Sequence, residues 1–227
     1  MKENPLFTKW SDQWKAERSK CDPHHIVKLW QDAMPQRWKR DIWEGELGYR
    51  KRSDDKGEQR IEKELFAAKG GVVLNASSEV PKPFRCVAIY HNMPLANQRR
   101  GQVIADAFGI LEIGKVKRPL LIEVKVTDHN LWYSLVECLQ QVRLARACAK
   151  NITAFTKKIT ASHELASGIW GMVLAPASYY EKHEKRMKDC DNLLCILKEQ
   201  TCARIAFAVW PSKADDHIEI RHSNWSF

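Results

Sequence analysis

The chain has 227 residues, with 37 lysines and arginines against 28 aspartates and glutamates, a formal net charge of +9. Its hydrophobic fraction of 44% is that of a globular chain with a full core; no apolar run reaches transmembrane length, and the first residues, MKENPLFTKW, hold no apolar signal-peptide core. A membrane protein or an exported one is not expected; a soluble, cytoplasmic protein with a polyanionic partner is, because lysine and arginine gain affinity by displacing counterions from phosphates.

Residues 1 to 57 stand apart in composition. Trp10, Trp14, Trp30, Trp38 and Trp43 lie here, interleaved with Lys9, Lys15, Lys28, Arg37, Lys39 and Arg40. The i,i+4 spacing of Trp10 and Trp14 predicts a helix packed on the main domain, with a basic-aromatic surface that stacks bases as the functional alternative. The polar run Arg50 to Gly57 reads as a linker. The division expected is therefore a helical, Trp-rich N-terminal extension, 1 to 57, and a main domain, 58 to 227.

The main domain opens with a helix start at Ile61-Glu62-Lys63-Glu64-Leu65-Phe66 and, after the Gly70-Gly71 break, a strand in Val72 to Ser78. Pro81-Lys82-Pro83 interrupts the chain, Phe84 to Tyr90 reads as a strand, and His91 to Gly101 as an exposed loop with Gln98, Arg99 and Arg100. Those arginines are either phosphate contacts or solvated loop charges.

The stretch Gly101 to Lys125 carries the chemistry. Two apolar runs, Val103 to Leu111 and Leu120 to Val126, flank a polar, basic turn, the pattern of an antiparallel hairpin. On the second strand Glu123 and Lys125 leave one face and Ile122 and Val124 the other, beside Asp106 of the first. Burying acids and a lysine on an apolar hairpin is costly unless something pairs with them. Oxygens of Asp106 and Glu123 suit Mg²⁺ or Mn²⁺; an exposed Glu–Lys ion pair is the plainer reading.

Downstream, Leu131 to Lys150 predicts a helix with Leu131, Leu135, Leu139, Val142 and Ala149 on one face and Gln141 flanking it. A buried strand over Gly168 to Ala175 ends at Pro176, a charged helix runs from about Ser178 to Lys198, and strands follow at Ala203 to Trp210 and His217 to Arg221. This order predicts an α/β sheet covered by helices. The seven cysteines, with no CxxC pair, read as reduced packing residues; His183, Cys190, Cys195 and Cys202 follow no common zinc spacing.

Ala105-Asp106 followed by Ile122-Glu123-Val124-Lys125 resembles the signature of the PD-(D/E)XK nuclease superfamily, with Ala105 where the family usually has proline. The Glu62 helix start and the Val72 strand are similar to the archaeal Holliday-junction-resolvase branch, where the first glutamate of an E-x-E-L helix start completes the metal site; Glu58 and Glu64 are substitutes for Glu62. The Leu139-Gln140-Gln141-Val142 setting resembles the helical glutamine motif of RecB-like members. The resemblance implies a restriction-endonuclease-like mixed β-sheet core flanked by helices, and a Mg²⁺-dependent (or Mn²⁺-dependent) endodeoxyribonuclease. It implies metal ligation by Asp106, Glu123, the backbone carbonyl of Val124 and Glu62, and a water positioned or deprotonated by Lys125. Cleavage would leave a 5′ phosphate and a 3′ hydroxyl, on DNA rather than RNA, by a homodimer or a complex subunit. The long stretch from Ser78 to Asp106, the Trp-rich leader and the C-terminal third lie outside the resolvase pattern and point to a restriction-like, defence or mobile-element nuclease. The alternatives are a Holliday junction resolvase-like enzyme, or a catalytically inactive module of the same fold that binds nucleic acid or another subunit.

Overall fold

The computed structural model describes residues 5–32, 72–76, 84–98, 101–126, 130–160, 168–210 and 217–225. In chain order they form α1 (Pro5–Lys20), α2 (Pro23–Gln31), β1 (Val72–Ala76), β2 (Phe84–Gln98), β3 (Gly101–Ile113), β4 (Val116–Val124), α3 (Leu131–Ala147), α4 (Ala149–Thr160), β5 (Trp170–Pro176), α5 (Ala177–Glu181), α6 (Glu184–Thr201), β6 (Ile205–Trp210) and β7 (His217–Ser223).

The chain is a mixed α/β protein with flanking helices, as its sequence predicts, but the sheet is curled until its ends meet. β1, β2, β3 and β4 pair antiparallel in succession; β4, β5 and β6 are parallel; β7 runs antiparallel to β6 and parallel to β1, which closes the ring. The parallel pairs follow from the connections, since α3 and α4 carry the chain from β4 to β5, and α5 and α6 from β5 to β6. β6 is buried along its whole length and β5 up to its last residue, hence their unbroken apolar sequences, IAFAVW and WGMVLAP.

Side-chain alternation separates two apolar clusters. Leu120, Ile122 and Val124 meet Met172, Leu174, Ala206, Ala208, Ile218 and Ile220 inside the ring. Leu121, Val173, Phe207, Phe108 and Ile110 turn outward, where the helices supply Phe7, Trp10, Trp14, Leu29, Trp30, Leu135, Leu139 and Leu197. The three described leader tryptophans, Trp10, Trp14 and Trp30, are thus buried in the same cluster as the outer face of the sheet. α3 approaches β5 so closely at Gly171 that a Cβ there would lie 2.6 Å from Ile205 Cδ1 and 2.8 Å from Cys138 Sγ and Val142 Cγ2.

Some helix ends are closed by side chains, although neither α5 nor α6 has a side-chain hydrogen bond at its N-cap. Asp22 caps α2, accepting the His24 N–H at 2.9 Å, with Pro23 at the first helical position. α3 sends Arg143 to the Trp30 and Asp32 carbonyls (2.7 and 3.0 Å) and Arg146 to those of Thr201 and Cys202 (3.3 and 2.7 Å). One helix thereby satisfies the orphan carbonyls of two others and places cations at the negative ends of their dipoles.

Several boundaries differ from the sequence reading. His91 to Gln98 is not a loop: β2 runs on to Gln98, paired with β3 through Gln98↔Gly101, with register shifts between Cys86 and Ala88 and between Pro94 and Ala96. Pro94 is tolerated because it sits at a bulge and on a stretch of β2 that β1 does not pair. The helix expected from Leu131 to Lys150 ends at Ala147, where the Cys148 N–H turns back to the Ala145 carbonyl at 3.0 Å, and Ala149 starts α4 instead of extending the face of α3. The charged helix from Ser178 is likewise two helices, separated at Lys182-His183. Trp38, Trp43, the Arg50–Gly57 linker, Glu58, Glu62 and Glu64 lie outside the described residues. Among the described residues no helix is long and apolar enough to cross a membrane.

Candidate active site

The β3–β4 hairpin turns at Gly114-Lys115, flanked by the pair Ile113↔Val116, and Gly114 takes the φ of +61° that a tight turn demands and a side chain resists. Its ladder ends at Ala107↔Ile122. Beyond that pair β4 stays with β5, the Lys125 N–H reaching the Leu174 carbonyl at 2.9 Å. The strands have parted, and the Asp106 carboxylate takes the place of the lost ladder partner: its Oδ2 accepts the Val124 N–H at 2.8 Å.

Val124 points into the ring, so Glu123 and Lys125 point outward, under α3. Asn130 caps that helix, accepting the Trp132 N–H at 3.2 Å. Tyr133, Glu137 and Gln141 follow at intervals of four and share a face. Gln141 Nε2 donates to Glu123 Oε2, and Lys125 Nζ donates to Glu123 Oε1. The same ammonium lies 3.3 Å from Glu137 Oε2. Arg18 of α1 completes the cluster, with Nη2 at 3.1 Å from Glu137 Oε1 and Nη1 donating to the Tyr133 hydroxyl at 2.9 Å. Its guanidinium lies 4.7 Å from the Tyr133 ring centroid, a cation–π distance.

Glu123 is 2% exposed and Lys125 6%. Burial, followed by the neighbouring Asp106 and Glu137 carboxylates, holds the Glu123 carboxyl well above its ordinary range, against the opposing pull of Lys125. Burial alone would lower the pKa of Lys125; Glu123, Glu137 and Asp106 together outweigh it, and the ammonium is held above its ordinary value. Three carboxylates, Asp106, Glu123 and Glu137, thus converge with Lys125 and Arg18.

The residues expected from the sequence are reached in part. Asp106, Glu123, Lys125 and Gln141 come together, with Val124 between the acid and the lysine and its N–H on Asp106. Glu62, the expected fourth acid, lies outside the described residues. Among the described residues no group of three or more His, Cys, Asp or Glu side chains is arranged to hold a metal ion. Sequence reasoning missed Tyr133, Glu137 and Arg18. The four-residue spacing of Tyr133, Glu137 and Gln141 is a signal it could have used; Arg18 lies too far along the chain from its partners for any spacing rule to find.

No family model, no curated protein and no solved structure matches the chain.

Proposed function

We propose that the chain is a metal-dependent DNA nuclease of restriction-like type that hydrolyses phosphodiester bonds with Asp106, Glu123, Lys125 and Gln141. The observation that carries this reading is the meeting of Asp106, Glu123 and Lys125 where β4 parts from β3, with Glu123 buried beside further carboxylates. The donor set fits a hard divalent cation: the carboxylate oxygens of Asp106 and Glu123, and a Glu123 carboxyl whose ionised form its surroundings penalise. Asp106 and Glu123 would hold Mg²⁺ or Mn²⁺, joined by the Val124 carbonyl and Glu62 as the resemblance implies. Bound there, the cation would lower the pKa of a water molecule and offset the charge of the phosphate.

The protein's own groups have separable tasks. Val124 N–H fixes one oxygen of Asp106, and Gln141 fixes one oxygen of Glu123. Lys125, cationic at neutral pH, orients a water or neutralises the scissile phosphate. A second reading, a non-catalytic nucleic-acid-binding module, rests on one observation: both Glu123 oxygens are already engaged, by Lys125 and by Gln141.

Supercoiled, linear and single-stranded DNA, and RNA, incubated with Mg²⁺, Mn²⁺ or EDTA separate the two. The nuclease reading expects cation-dependent cleavage of DNA, lost by at least about a hundredfold in Asp106→Ala, Glu123→Ala and Lys125→Ala proteins that remain folded. Near-wild-type cleavage by a folded Lys125→Ala protein overturns the site. DNA binding with no cleavage under any cation favours the module.

A further inference from the structure

Among the described residues, β2 and β3 go on pairing after both neighbours have left them. There, β1 covers β2 at Phe84 to Cys86 and β4 covers β3 from Ala107 onward, yet the β2–β3 ladder continues through Met93↔Ala105, Pro94↔Ile104, Ala96↔Val103 and Asn97↔Gln102 to Gln98↔Gly101. Gly101 to Asp106 therefore belong, with their partners on β2, to a two-stranded ribbon, about 20 Å long at about 3.4 Å per residue. The ribbon is braced near its middle. Leu95, the extra residue at the second register shift, is buried at 1% exposure in the cluster that α3 lines, as is Ala105, and α3 packs on both strands.

Composition bears on what such a ribbon meets. From Val80 to Ala105 the sequence holds no aspartate or glutamate; of its four cations Arg85 lies where β1 still pairs with β2, and Lys82, Arg99 and Arg100 lie outside the described residues. The first acid to follow is Asp106, the candidate catalytic aspartate at the ribbon's root. The far end is rich in amides: Asn97 stands opposite Gln102, with Gln98 beside them. A two-stranded ribbon fits the major groove of B-form DNA, about 12 Å wide, and asparagine and glutamine there hydrogen-bond to base edges. The major groove of duplex RNA is too deep and narrow for side chains to read.

We propose that the β2–β3 ribbon enters the major groove of duplex DNA and positions the duplex over the Asp106 site, an inference that rests on the nuclease reading. A ribbon of about 20 Å, against an axial rise of about 3.4 Å per base pair, sets its groove contacts within roughly six base pairs of the cut.

The test uses the full chain in EDTA, with a 30-base-pair DNA duplex, the RNA duplex of the same sequence and the single DNA strand as probes. A variant carrying Asn97→Glu, Gln98→Glu and Gln102→Glu places new acids on the ribbon, and Gln98→Glu alone serves if the triple variant does not fold. The expected result is DNA-duplex affinity lowered by roughly tenfold or more for the triple variant and severalfold for the single one. Wild-type binding of the RNA duplex should be weaker than of the DNA duplex and change little with the substitutions, and the melting temperature should hold. Unchanged DNA-duplex affinity in a folded variant, equal losses on DNA and RNA duplexes, or a wild-type dimer that the substitutions dissolve without affecting DNA binding would each overturn the ribbon's assignment. Wild-type protein that neither binds nor cleaves nucleic acid removes the nuclease reading itself. Mg²⁺-dependent cleavage and duplex binding that the ribbon variant retains remove the ribbon assignment alone.

Discussion

An ammonium buried at 6% exposure against the Glu123 carboxylate, and 3.3 Å from Glu137, holds together acids that would otherwise repel one another. Lys125→Met keeps the stem and removes the charge, leaving Glu123 buried between two further carboxylates. Losing one partner of a buried ion pair costs about 3–5 kcal/mol, and urea denaturation at neutral pH should show a loss of that size. The double variant Glu123→Gln/Lys125→Met, with no buried charge to strand, should recover most of it; a Lys125→Met protein within 1 kcal/mol of wild type, an estimate below the range for buried pairs, would mean that the pair is solvated. A different residue sets an alkaline limit. Burial, with smaller contributions from Glu17 and Asp22, pushes the Cys21 thiol from 9.0 up to about 12. A folded-state pKa above the unfolded one contributes stability that is complete below pH 9 and lost as the pH climbs towards 12. At about 1.4 kcal/mol per unit, Cys21→Ala should flatten the fall of stability between those values by up to roughly 4 kcal/mol, and parallel profiles for the two proteins would exclude this role. At this scale the sequence was informative wherever the two-residue period of a strand fixes direction, which is how Glu123 and Lys125 were placed on one face. It was silent on Glu137 and Arg18, because an acid on a helix and an arginine on another helix look like solvated charges until tertiary packing brings them within 3.1 Å of each other.

Between elements, the tightest approach is that of α3 to β5 at Gly171. The atoms a new Cβ would meet, at 2.6 to 2.8 Å, belong to Ile205, Cys138 and Val142, all fully buried and with little room to yield. Gly171→Ala should therefore destabilise by about 1–3 kcal/mol, as overpacking does, and Gly171→Val by more. Since α3 carries Tyr133, Glu137 and Gln141, the same substitutions should reduce any activity of the site. A Gly171→Ala protein as stable as wild type, measured by thermal unfolding, would show that α3 can lift without cost. Elements were legible where one signal dominates: the unbroken apolar runs of β5 and β6, and the hairpin around Gly114. The outer half of β2 was not, because Pro94 and Gly101 are loop signals locally and only the bulge at Leu95 and the partner strand make them acceptable. Nor were the interruptions at Cys148 and at Lys182-His183, which carry neither proline nor glycine.

Closure of the ring belongs to the whole molecule. It depends on β7, at the C-terminal end, pairing alongside β1, more than 140 residues earlier in number, and no local pattern encodes a partner at that distance. Asn224 secures the arrangement: its Oδ1 accepts the Ile205 N–H at 2.7 Å and its Nδ2 donates to the Leu194 and Ala203 carbonyls at 2.8 and 3.0 Å. The N-terminal helices are equally part of the whole. Phe7, Trp10 and Trp14 of α1 are buried in the cluster that α3 and the outer face of the sheet share, and Arg18 bonds to Tyr133 and Glu137.

Deleting residues 1 to 57 would expose that cluster. At about 25 cal/mol per Å² and 150–250 Å² per buried aromatic ring, each of the three rings contributes roughly 4–6 kcal/mol. Together, at roughly 12–18 kcal/mol, they equal or exceed the 5–15 kcal/mol by which a typical domain is stable. The truncated chain should therefore lose its cooperative melt and bind a hydrophobic dye, and Trp14→Ala in the full chain should cost about 3–5 kcal/mol. If the leader instead serves as a surface on which bases stack, truncation should leave a stable domain with weaker DNA binding, since each stacked base contributes about 1–3 kcal/mol. Calorimetry and a binding titration on the same truncated protein separate the two: a chain beginning near Gly57 that melts at the full-length temperature, yet binds DNA much more weakly, would assign the tryptophans to the ligand rather than to the core.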